Sequence, residues 1–154
     1  MKFAADAMLG KLARWLRLMG YDTFYLRDIG DDELLRVAHE EGRLLITRDT
    51  RLVKRLRPGE YLFIRDNAPL EQVRQAVGEL GLKVGEEALF SRCTLCNEPL
   101  ADAEKESVLG MVPEYTYNRV ESFRSCASCG RVYWPGTHAG RVLERLKELS
   151  GGHG

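Results

Sequence analysis

Arg43-Leu-Leu-Ile-Thr-Arg-Asp49 is the stretch whose reading decides the fold. Leu44, Leu45 and Ile46 form a short apolar run between charged residues, the pattern of a buried strand in a parallel sheet. A basic, helix-like segment begins at Thr50. In open α/β sheets, ligands bind in the crevice outside the carboxyl ends of the strands. Asp49 stands at such an end, exposed enough to reach a metal and fixed enough to hold one. Its alternative reading is an aspartate that caps the next helix.

Outward from this strand the chain alternates. Lys2 to Asp6 is a strand ending in an acid. Met8 to Met19 is a helix whose Leu9, Leu12, Ala13, Leu16 and Met19 recur at helical spacing. Gly20 fits its C-terminal cap, and Asp22 to Leu26 is a second strand. Asp31-Asp-Glu33 opens a helix, where acids suit the free N–H groups and the macrodipole, and Gly42 ends it. After Asp49, a helix over Thr50 to Arg57 stops at Pro58-Gly59. Tyr61 to Ile64 is a further strand with Asp66 just past it, and Leu70 to Leu80 is an amphipathic helix closed by Gly81. This β-α-β-α-β-α-β-α order predicts a mainly parallel sheet flanked by helices on both faces.

Composition changes after Gly85, so the expected units are 1–85 and 86–150, with the Gly-rich 151–154 tail disordered. In the second unit, Val120 to Arg124 and Arg131 to Trp134 read as short strands. Gly140 to Leu149 reads as a last helix burying Val142, Leu143 and Leu146. The 154 residues suit one α/β domain with a small appendage, and 44% hydrophobic with 30% charged residues is ordinary for a soluble protein. No apolar run approaches a membrane span and the start lacks a signal-peptide pattern, so a cytoplasmic protein without membrane association is expected. Formal net charge is zero; there is no global basic field, which still allows a local basic face.

Cys93-Thr-Leu-Cys96 and Cys126-Ala-Ser-Cys129 are two Cys-x-x-Cys turns. Brought together, they give the four-thiolate cage that zinc accepts in closed structural sites. Such a site has no open coordination position and is not expected to catalyse. The rival, a pair of redox disulfides, fits poorly outside a βαβ unit.

Asp6, Asp49 and Asp66 each follow an apolar strand, and Asp31 opens a helix. On parallel strands the strand-end acids converge on one edge, where mutual repulsion favours a cation. Oxygen-only ligands suit Mg²⁺ or Mn²⁺. Such a site can activate water for phosphoryl displacement, with paired metals about 3.5–4 Å apart. Helix capping is the competing role for Asp31, its neighbour Asp32, and Asp66. Arg48, Arg51, Lys54 and Arg55 follow Asp49, and Lys11, Arg14 and Arg17 follow Asp6. Such runs are usually solvated faces, but two of them beside candidate ligands suggest a phosphate track.

The segments Asp6 to Arg17, Gly20-Tyr-Asp22, Asp31 to Leu35 with Ala38, Leu45 to Asp49, Arg92 to Asn97 and Cys126 to His138 together resemble one family. It is the family named for the C-terminal RNase domain of the nematode mut-seven exonuclease. The resemblance spans nearly the whole chain. It implies a PIN-like nuclease fold with an attached zinc ribbon, metal-dependent action on RNA, and Asp6, Asp31 and Asp49 as ligands. Asp66 fills the place of a fourth acid. Many PIN enzymes carry Glu at the second acidic position, where this chain has Asp31.

The resulting expectation is a metal-dependent ribonuclease with catalytic Asp6, Asp31, Asp49 and Asp66, catalytic Mg²⁺ or Mn²⁺, and structural Zn²⁺ on Cys93, Cys96, Cys126 and Cys129. Its partner is single-stranded RNA, gripped by the basic residues and aided by the ribbon. Two rivals are a non-catalytic RNA- or ribosome-associated module and a toxin-like RNase with a protein antitoxin. Trp134 is read as packing the ribbon against the last helix rather than stacking on a base, and His138 as structural. His39 and His153 carry no motif.

Overall fold

The computed structural model of the chain describes residues 1–85, 88–135, 141 and 144–148. His138, Val142, Leu143 and the 151–154 tail lie outside the described residues. Four strands, β1 (Phe3–Ala5), β2 (Thr23–Phe24), β3 (Leu44–Thr47) and β4 (Tyr61–Phe63), form one sheet in the order β2-β1-β3-β4. Every pairing is parallel. The helices are α1 (Gly10–Leu18), α2 (Asp31–Glu40), α3 (Thr50–Val53) and α4 (Pro69–Leu80).

Strand side chains alternate between the two faces of a sheet. Phe3, Ala5 and Ile46 pack with Leu12, Ala13 and Leu16 of α1 and with Val73, Ala76 and Val77 of α4. Ala4 and Leu45 point the other way, onto Leu34 and Ala38 of α2 and Leu52 of α3. All five core positions expected on the first helix are buried, and each large one contributes about 1.5–3 kcal/mol. Gly20 has φ +96, and a Cβ there would meet the Ala88 carbonyl at 2.6 Å. The chain leaving the first unit therefore runs directly over α1's end, a position open only to glycine.

Two expected helices differ in detail. The first opens with a 3-10 turn over Ala7–Leu9, because the Asp6 side chain accepts from Met8 N–H and tightens the entry. The helix after Asp49 is only Thr50–Val53; beyond it Arg55 and Leu56 make turn bonds to Leu52 and Val53. Arg51, Lys54 and Arg55 therefore do not share a continuous helical face.

The second unit carries an antiparallel sheet of β5 (Ala101–Ala103), β6 (Phe123–Ser125) and β7 (Val132–Tyr133). β5 and the helix α5 (Glu114–Arg119) were not foreseen. Val108, Val112 and Phe123 form its small core. Trp134 packs edge-on to Phe123 at 6.2 Å, inside the ribbon's own core. Residues 144–148 are helical, and Leu146 is fully buried in the core shared by α1 and α4. Leu82 and Leu89 join the same core, so the segments on either side of the ribbon return to the first unit. Among the described residues no helix is long and apolar enough to cross a membrane.

Leu146→Ala should lower stability by about 2–4 kcal/mol, the usual cost of truncating a fully buried leucine. Urea unfolding monitored by circular dichroism measures it; a cost under about 0.5 kcal/mol would show that the last helix does not seal this core.

Candidate active site and four-cysteine centre

The chain passes from β1 outward to β2, and from β3 outward to β4 on the opposite side. The strand order thus reverses between β1 and β3, the point where open α/β sheets form their crevice. Asp6 leaves β1 there and Asp49 follows β3. The two strand ends are pinned together: Asp6 N–H donates to the Ile46 carbonyl at 3.0 Å.

Asp6 is only 6% exposed, so its carboxylate needs donors. Met8 N–H donates to Oδ1 at 2.8 Å; the Thr47 hydroxyl at 2.5 Å and Arg48 N–H at 2.9 Å donate to Oδ2. The Thr47 oxygen in turn accepts Asp49 N–H at 2.9 Å. One buried hydroxyl therefore orients the first acid and the backbone of the second. Asp49 Oδ1 accepts Arg51 N–H at 2.9 Å and caps α3, and its other oxygen makes no hydrogen bond among the described residues. Cap and candidate ligand are thus the same residue, one oxygen for each role.

Asp31 is exposed on the first turn of α2, and among the described residues its carboxylate has no hydrogen bond or ion pair. Asp32 beside it is engaged by Arg55 at 2.6 Å. Asp66 is exposed and accepts Ala68 N–H at 2.8 Å, shaping the turn into α4. Among the described residues, no three carboxylates form a group with ligand atoms all within 4.8 Å; the four cysteines do. A carboxylate has about four lone-pair positions. Asp6 uses three of them, Asp49 one and Asp31 none, which leaves free lone pairs on each carboxylate.

The cysteine centre is tighter. Its four sulfurs lie within 4.8 Å of one another, with Cys93 and Cys129 3.8 Å apart. A tetrahedron with Zn–S bonds of about 2.3 Å has an edge of about 3.8 Å, whereas a disulfide needs about 2.05 Å. All four cysteines are free. Asn97 and Gly130 both adopt positive φ, +68 and +76, and close the two knuckles with N–H bonds to the Cys93 and Cys126 carbonyls. Burial opposes ionisation of Cys93, but the Tyr133 hydroxyl and the Cys96 and Leu95 N–H groups outweigh it and bring its pKa to about 7. Cys96 is pushed up to about 12, chiefly by its hydrogen bond with Cys129, then by burial and the neighbouring sulfurs. A metal held here would take its sulfur ligands as thiolates.

The model of the Mut7-C RNAse domain family matches residues 1–146 of the 154. The chain belongs to the Mut7-C RNAse domain family. Comparison with curated proteins gave no match, and comparison with solved structures gave none either. The family match runs through both the sheet and the ribbon, and the contacts between them show how the two are joined.

Arg17, expected on the phosphate track, is buried at this seam. It donates through Nε to the Thr23 carbonyl at 2.9 Å and through one NH1 group to the Thr94 and Leu95 carbonyls of the first knuckle at 3.0 Å. Burial lowers its pKa, partly offset by the charges of Cys93 and Cys96. Asn97 Oδ1 accepts Thr23 N–H at 2.9 Å, and its Nδ2 donates to Asp22 at 2.7 Å. Asp22 also pairs with Arg43 at 2.8 Å. The remaining basic residues sit differently. Lys11, Arg14, Arg51 and Lys54 are exposed, Arg48 reaches the Ile64 carbonyl, and Arg55 is held by Asp32. Thr47, Asn97, Asp22 and Tyr133 are the residues to which sequence reasoning gave no such role. Only Thr47 carried a signal, a hydroxyl two residues before a strand-end acid.

Burial alone would raise the Asp22 pKa, but bonds from Arg43 and Asn97 and the charge of Arg43 leave it below the ordinary 3.8. A depressed folded pKa gives stability that is present above the unfolded value and lost as pH falls through the folded one. Asp22→Ala should therefore cost about 2 kcal/mol at pH 7, and the gap from the native chain should close below about pH 3.8. Urea titrations of both proteins between pH 7 and pH 3 measure it; a gap independent of pH would remove the charge from the explanation.

Proposed function

We propose that this chain is a metal-dependent ribonuclease acting on single-stranded RNA in the cytoplasm, with a zinc-loaded four-cysteine ribbon as its structural second half. The observation that carries the reading is the pairing of Asp6 and Asp49 through Thr47 at the strand-order reversal. A structural acid would need no such placement at the mouth of the crevice. Membership of an RNAse domain family supports the nuclease class.

Asp6, Asp49 and Asp31 would hold Mg²⁺ or Mn²⁺, and Asp66 stands at the rim. Bound there, the cation supplies charge neutralisation and water activation for phosphodiester hydrolysis. The chain's own contribution is positioning. Thr47 and the Arg48 N–H hold Asp6 Oδ2 while the Met8 N–H holds Oδ1, which fixes the carboxylate at the end of β1. Arg14, Lys11, Arg48, Arg51 and Lys54 supply phosphate contacts around it. Arg17 is not among them, because its donors are engaged at the seam. A second reading, a non-catalytic RNA-binding module, is favoured by one observation: the described acids do not converge into a ready three-carboxylate cage.

Two substitutions separate the readings. Asp49→Asn should reduce cleavage of a mixed RNA pool at least 100-fold and weaken the dependence on Mn²⁺, with RNA binding retained. Arg14→Ala should weaken RNA binding and flatten its salt dependence by about one counterion, with cleavage at saturating RNA largely kept. Wild-type binding with no cleavage, unchanged by Asp49→Asn, would move the protein to the binding-module reading.

Protein prepared with zinc under reducing conditions should contain about one zinc per chain. Cys129→Ser should lower that content and the melting temperature together. Elemental analysis beside a thermal melt tests this, and full stability of the metal-free chain would reject a structural zinc.

A further inference from the structure

We propose that the insert between the two cysteine pairs, residues 98–121, is a docking surface for a partner protein that presents a basic segment with apolar anchors. The proposal goes beyond the nuclease reading and does not depend on it.

The insert separates its apolar residues sharply. Val108 and Val112 turn inward onto Phe123. Leu109 and Met111, between them, turn outward and are 66% and 58% exposed. Gly110, at φ +83, makes the turn that throws both out. Tyr115 follows at 65% exposure, with the Arg119 guanidinium 4.3 Å from its ring centre. Scattered single apolar residues on a surface need no explanation, but two at one turn and a third at the start of α5, all within seven residues, form an anchor.

The charge around this tip selects the partner. Residues 98–121 carry six acids, Glu98, Asp102, Glu104, Glu106, Glu114 and Glu121, against Lys105 and Arg119, and Asp102 pairs with Arg124 just beyond them at 3.8 Å. The chain as a whole is neutral, so the excess of four acids here is balanced by an excess of four bases elsewhere. Lys105 is engaged by Glu121 at 3.2 Å. Among the described residues Glu98, Glu104, Glu106 and Glu114 have no ion pair. Glu104, Glu106 and Glu114, uncompensated and flanking the apolar tip in sequence, repel phosphate, which disfavours RNA and anionic membranes. They equally repel the same face of a second copy. A cationic protein segment gains from both parts of the surface: its charges meet the acids, and its apolar side chains cover Leu109, Met111 and Tyr115.

The test uses three labelled 14-residue helical peptides. One has a leucine face and a lysine face, the second replaces lysine with glutamate, and the third replaces leucine with serine. Fluorescence anisotropy with the full chain should show binding of the leucine–lysine peptide alone, with methyl NMR shifts at Leu109 and Met111. The double variant Leu109→Ser with Met111→Ser, both solvent-facing, should weaken that binding about tenfold or more while its melting temperature stays unchanged. No binding, binding indifferent to the double variant, or equal binding of the serine–lysine peptide would overturn the proposal. So would methyl shifts produced by single-stranded RNA at the same residues, or concentration-dependent self-association that the double variant abolishes.

Discussion

The parallel pairing of β1 with β3 is the constraint on which the rest depends. It sets Ala5 opposite Ile46, so the chain exits from both strands at the same level of the sheet. The first residue beyond β1 is then an acid held under the backbone of the second exit. Asp6 is buried there at real cost, and three hydrogen bonds offset it. Because two of those bonds come from Thr47 and Arg48, the carboxylate cannot leave its place without disturbing the turn that carries Asp49. Site and sheet are one cooperative object.

Much of the α/β unit was legible because its signals are local. The apolar run at Leu44–Ile46, the 3.6-residue period of the first helix, and the acids opening α2 all report on structure within a few residues of themselves. The paired cysteines were legible because only a narrow chemistry uses that spacing. β5 was hidden because Ala-Asp-Ala has no apolar alternation and exists only by pairing with β6. Helix α5 did carry a signal, Pro113 followed by Glu114, but it is too short for periodicity to reveal.

The candidate site was legible in part for a related reason. Strand ends point to acids, but nothing local says how the acids are oriented, so Thr47 passed as part of a strand. Arg14 and Arg17 are three residues apart on one helix and look alike in sequence. One is exposed and the other is buried, and the difference is made by a knuckle more than seventy residues away whose carbonyls accept from Arg17. A long-range partner of this kind leaves no trace in the spacing of the residue it captures. Asn97 is similar: only the fold shows its amide matching the free edge of β2.

That amide has a consequence for anyone who would trim the protein. A truncated chain ending at residue 85 keeps every strand of the parallel sheet and has the outline of a self-sufficient domain. It would also lose the side chain that closes the outer edge of β2 and the carbonyls that neutralise the Arg17 donors. An uncovered strand edge is a template for another copy's strand, and a guanidinium stripped of its acceptors favours any opening that lets in water. The excised sheet would therefore be a polymerisation hazard rather than a minimal enzyme, with the ribbon serving in the intact chain as the protective margin of the sheet.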